Sequence, residues 1–124
     1  MVEKVPPEVE AKYAKLMRLR EALAAVAQEK ASLEALKAEV EAVLEEIRKV
    51  PEDARLYKMV GSVLVEKNRD EIVKELEERK EDIEIRLKAL NSQEEALKKD
   101  IERLTQELQR LLGGAGGTAA GGAG

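Results

Sequence analysis

Two stretches of the chain repeat apolar residues at alternating spacings of three and four. In the first, Val9, Leu16, Leu19, Leu23, Val26, Leu33, Val40, Leu44 and Ile47 fall on the a and d positions of a heptad, with Lys12, Lys30 and Lys37 on the same seam. In the second, Val73, Leu76, Ile83, Leu87, Leu90, Leu97, Ile101, Leu104, Leu108 and Leu111 do so, interrupted by Lys80 and Glu94. A repeat held for more than five heptads predicts a coiled coil, since a helix in a compact domain needs no such length. The first helix is expected over about 7–50, opening after Pro6-Pro7 and ending at Val50-Pro51, because proline pushes the residue before it out of helical geometry. The second is expected over about 69–112. Asn68 and Glu71 have capping-box spacing at its start, and Gly113-Gly114 offers a stop.

Each stretch is roughly 65 Å long at 1.5 Å per residue. One apolar seam cannot bury itself, so the simplest partner for the first helix is the second, folded back antiparallel. The connection is longer than such a turn requires. About 2–8 residues suffice, yet 51–67 hold about twice that. Here the helical period gives way to strand composition, in Leu56-Tyr57-Lys58-Met59-Val60 and Val63-Leu64-Val65-Glu66-Lys67, on either side of Gly61-Ser62. Glycine first in a two-residue loop fits a type II′ turn, so a β-hairpin is expected at about 55–67. Tyr57, Met59 and Leu64 would share one of its faces, and Leu56, Val60, Val63 and Val65 the other. A lone two-stranded hairpin is marginal in water. Folding back onto its own coiled coil would cover one face but hardly two, whereas edge-to-edge pairing with hairpins of other chains, closing a barrel, would cover both. The fold class expected is therefore mainly α: a long antiparallel two-helix hairpin with one β-hairpin at its bend, assembling into an oligomeric β-barrel platform.

Composition narrows the function. Charged residues make up 39% and aromatics 2%, which suits a long helix and not a compact enzyme core. Cys and His are absent, which removes disulfides, zinc fingers, thiol nucleophiles and imidazole bases. No catalytic residue, metal site or cofactor is expected. The net charge of −4, with Lys and Arg interspersed among Glu, opposes nucleic acid as the main ligand. No apolar run could span a bilayer and the start lacks a signal-peptide core, so a cytoplasmic protein is expected. Heavy use of Glu, Lys and Arg, with few Asn and Gln, fits a heat-adapted source. The Gly/Ala-rich residues 113–124 are expected to form a flexible tail.

The order of helix, Pro51-Glu52-Asp53-Ala54, strand, glycine turn, strand and helix resembles the β subunits of archaeal prefoldin. Tyr57-Lys58-x-Val60-Gly61 carries the resemblance most specifically, and Ala89-Leu90-Asn91-x-Gln93-Glu94 adds to it. It covers roughly residues 5–112. A single hairpin points to the β type, because the α type carries two. The resemblance implies a hexamer of two α-type and four β-type chains, with hairpins joined in a barrel. It also implies ATP-independent capture of unfolded clients between arm tips and delivery to a group II chaperonin.

Periodicity points independently to the chain ends. There Val5, Val9, Tyr13, Leu16, Met17 and Leu19 are expected near Leu104, Leu108, Leu111 and Leu112. Helix ends fray and expose such side chains, so these ten are the expected client-binding surface. Leu56, Tyr57, Met59, Val60, Gly61, Val63, Leu64 and Val65 are the expected oligomerisation hairpin. The competing function is a structural scaffold or tether that binds no client, which would tolerate polar residues at the tips.

Overall fold

The computed structural model describes residues 5–116, with side chains to Gly113. The element order is helix α1 (Pro7–Arg48), strand β1 (Leu56–Val60), strand β2 (Val63–Lys67) and helix α2 (Arg69–Gly116). Contacts divide the chain into two compact units, Glu29–Leu90 and Met1–Gln28 with Asn91–Gly124.

In the unit Glu29–Leu90 the two helices run antiparallel around Val40, Leu44 and Ile83, with Leu33, Leu36, Val73, Leu76 and Leu87 packed against them. Ion pairs flank this core: Lys37–Glu84 at 3.2 Å, Lys80–Glu41 at 3.1 Å, and Arg48–Glu77. The two seam lysines thus each reach a glutamate on the opposite helix, keeping their stems on apolar surface and their charge in water. Such exposed pairs are each worth roughly 0.2–1 kcal/mol, so the leucines hold the unit and the charges select its register.

The turns between helices follow from local chemistry. Lys49 and Val50 donate to the Glu46 and Ile47 carbonyls, tightening the last turn of α1, and the Arg69 guanidinium donates to the Arg48 carbonyl at 3.3 Å. A cation suits the negative end of a helix. Asn68 caps α2: its Oδ1 accepts from the Glu71 N–H at 2.8 Å, and its Nδ2 donates to the Glu71 carboxylate at 2.7 Å. Strands β1 and β2 pair antiparallel, with Met59 opposite Leu64 and Val60 opposite Val63. Gly61 has φ +60° and no other described residue has positive φ, which matches type II′ and excludes type I′.

The unit that carries both chain ends is built on Leu16, Leu104 and Leu108, with Val9, Met17, Leu19 and Ile101 packed against them. Lys12 donates to Glu107 at 3.2 Å across the pair. All eight buried apolar residues of the chain's described part are seam positions.

One expectation needs correction. Gly113-Gly114 does not stop α2, which continues to Gly116. Glycine costs about 1 kcal/mol in a helix but does not break one that is already propagating, because it keeps its N–H and adds no clash. Residues 113–116 therefore belong to the helix and not to a tail. The rest of the expected tail, residues 117–124, lies outside the described residues.

Candidate functional site

Near the chain ends the seam does not close completely. An open groove of about 610 Å³ lies between the helices, lined by Val5, Val9, Glu10, Tyr13, Ala14 and Leu16 from the N-terminal side and Thr105, Leu108, Gln109 and Leu112 from α2. Leu16 and Leu108 form its floor, both buried in the core. Val5, Tyr13 and Leu112 stand on its walls with 49%, 56% and 58% of their surface exposed. Ala14 and Thr105, two of the shorter side chains in the lining, leave its walls low.

Of the ten residues expected at a client-binding tip, Val5, Val9, Tyr13, Leu16, Leu108 and Leu112 line this groove. Leu104 is buried beneath it, and Met17 and Leu19 pack against the same core. Leu111 is half-buried and is not part of the lining. Heptad reading missed Glu10, Ala14, Thr105 and Gln109, which lie beside the seam. The signal that could have found them is their place beside the seam residues nearest the chain ends.

A second apolar surface lies on the hairpin. The register puts Tyr57, Met59 and Leu64 on one face, opposite the face of Leu56, Lys58, Val60, Val63, Val65 and Lys67. Met59 and Leu64 are 66% and 61% exposed, and Tyr57, Val60, Val63 and Val65 are exposed as well. Of its apolar side chains only Leu56 is half-buried, and no hairpin side chain joins either apolar cluster. What ties the hairpin to the helices is ionic. Glu75 of α2 accepts from Lys58 of β1 at 2.8 Å and from Lys67 of β2 at 3.2 Å. Lys58 first, and then Lys67, hold the Glu75 carboxyl below the ordinary glutamate range.

Among the described residues no group of three or more acidic, His or Cys side chains is placed to hold a metal ion. Among the same residues no helix is long and apolar enough to cross a membrane. The two surfaces offered are apolar contact areas, one between helices and one on strands.

Two long antiparallel helices joined through a single β-hairpin, with apolar surface left open in a groove between the helices and on the strands, define a coiled-coil hairpin protein. The family model described as prefoldin subunit matches residues 10–115, and the chain belongs to that family, a family of chaperone subunits and not of enzymes. A prefoldin subunit beta of Saccharolobus islandicus is 38% identical over 80 residues, covering 64% of each chain. One of Archaeoglobus fulgidus is 40% identical over 76 residues, covering 61% of this chain and 66% of the relative. The chain thus spans less than two thirds of the length of the Saccharolobus relatives it matches. The crystal structure of the prefoldin beta subunit from Thermococcus strain KS-1 superposes with a TM-score of 0.83 at 35% identity, covering 90% of this chain and 97% of that one.

Proposed function

We propose that the chain is a β-type subunit of a cytoplasmic, ATP-independent holdase, which captures unfolded proteins in the groove at its chain ends and delivers them to a group II chaperonin. Its partners are an α-type subunit and further copies of itself, in a hexamer of two α and four β chains. The observation that carries this reading is the groove, whose walls leave Val5, Tyr13 and Leu112 about half exposed above a buried leucine floor. Full burial of such a side chain is worth about 1.5–3 kcal/mol, so covering what remains exposed yields roughly 1 kcal/mol for each. One groove therefore binds weakly and with little sequence preference. Several grooves in one assembly raise avidity about 10²–10⁴-fold without new contacts. The exposed apolar strands support assembly through the hairpin, because an isolated hairpin is marginal in water. The resemblance to β-type prefoldin chains supports the partners and the chaperonin.

The test is suppression of client aggregation by the assembled complex carrying Val5→Asn, Tyr13→Asn and Leu112→Asn together. These walls are chosen over Leu108, which is 6% exposed and whose polar replacement would unfold the seam. The expected result is loss of suppression with helix content and oligomer mass unchanged. Undiminished suppression would refute capture in the groove and leave a scaffold.

A further inference from the structure

The hairpin meets α2 through one residue. Strand β2 ends at Lys67 and α2 begins at Arg69, so Asn68 alone is the joint. One residue supplies two soft dihedrals, and the Asn68 side chain is already engaged in capping α2. The hairpin contributes nothing to the apolar core that would fix its direction. Two contacts do so instead. Lys67 and Lys58 lie on the same face of the hairpin, on different strands, and both end on the carboxylate of Glu75. Lys67 is also 3.8 Å from Glu71, so it keeps a second acceptor. Lys58 has the greater leverage, because it sits on the strand not directly attached to the joint.

We propose that Glu75 is the positioning residue of the hairpin: holding one lysine from each strand, it fixes the hairpin's direction on α2 and keeps the Tyr57–Met59–Leu64 face turned outward for assembly. The part concerning assembly rests on the function proposed above; the clamp itself does not. A neighbouring subunit's hairpin is met by strands already aimed, so less orientational freedom is lost on joining. With Glu75 removed, the hairpin is held only by Asn68, by the 49–55 connection to α1 and by the Lys67–Glu71 contact, so it swings more widely and the same apolar face must be ordered at each encounter.

The chain has no cysteine, so spin labels at Ser62→Cys and Glu78→Cys report the hairpin-to-helix distance in the full chain. The parent is expected to give a narrow distance distribution. Glu75→Gln and Lys58→Met should broaden it with helix content unchanged, and Lys67→Met should broaden it less. Reversing the charges, Glu75→Lys with Lys58→Glu and Lys67→Glu, should narrow it again. A distribution that stays narrow in Glu75→Gln would overturn the clamp. In the assembled complex, the Glu75→Gln chain should need roughly 2- to 30-fold higher concentration to assemble, the range of two weak surface ion pairs. Unchanged assembly despite a loosened hairpin would overturn the role in assembly. A parent chain that never assembles would refute the oligomer reading while the spin-label result still judges the clamp.

Discussion

Replacing Leu44 with alanine probes the seam where it is almost fully buried, and Val43 beside it supplies an internal control. Leu44 is 2% exposed at the centre of the cluster with Val40 and Ile83, whereas Val43 is 41% exposed on the adjoining helix face. Leu44→Ala removes three buried carbon groups at about 0.8 kcal/mol each, or about 2.4 kcal/mol of transfer free energy. A cavity term adds to this, but a two-helix interface is bordered by solvent and can partly collapse. The cost therefore falls in the lower half of the usual range for buried leucine, about 2–3 kcal/mol. For a domain near 100 residues that lowers Tm by roughly 10–20 °C. Val43→Ala removes carbons that are already partly in water and puts a better helix former in their place, so the two effects leave it within about 0.5 kcal/mol. The assay is urea unfolding followed by the helical circular dichroism signal, at one fixed protein concentration because assembly shifts the midpoint. Equal loss from the two substitutions would mean that the seam assignment, and the register built on it, is wrong.

Further outcomes follow from the joints. Gly61→Ala finds open space within 4 Å, so its cost is backbone strain alone at φ +60°, about 1–3 kcal/mol, and amide exchange should speed up in residues 56–67 while the helices stay protected. Asn68→Ala should cost about 1 kcal/mol and fray the first turn of α2, seen as faster exchange at the Glu71 amide. The Glu75 carboxyl is held below its ordinary range by Lys58 and Lys67, so its stabilising effect on hairpin docking is fully present above the unfolded value. It is lost as pH falls through the lowered folded value. Spin-label distances should therefore broaden on the acidic side of the ordinary glutamate range and not above it, and Glu75→Gln should abolish that dependence.

Much of the fold was legible because its signals are local and repetitive. Leu16, Val26, Val40, Leu44, Ile83, Leu90, Leu104 and Leu108 are buried because a heptad leaves them one face to occupy. Gly61 and Asn68 were readable because one conformation or one cap has few substitutes. The end of α2 was misread because glycine permits a stop without imposing one. The groove was half legible: its leucine floor follows the seam, but its opening depends on which residues of the two helices meet beside the seam, which no single helix encodes. Glu75 was invisible. It is one of many glutamates on solvated helix faces, and only the hairpin's position brings two lysines to it.

The central claim is capture of unfolded protein at the groove, and site-specific photocrosslinking tests it most directly. A photoreactive side chain at Leu112, which is 58% exposed on the groove wall, is compared with one at Ile85, which is 62% exposed and lines no part of the groove. Equal exposure makes indiscriminate stickiness equal at the two sites. The account predicts that an unfolded client crosslinks to position 112 and hardly at all to position 85; equal yields at both would contradict it.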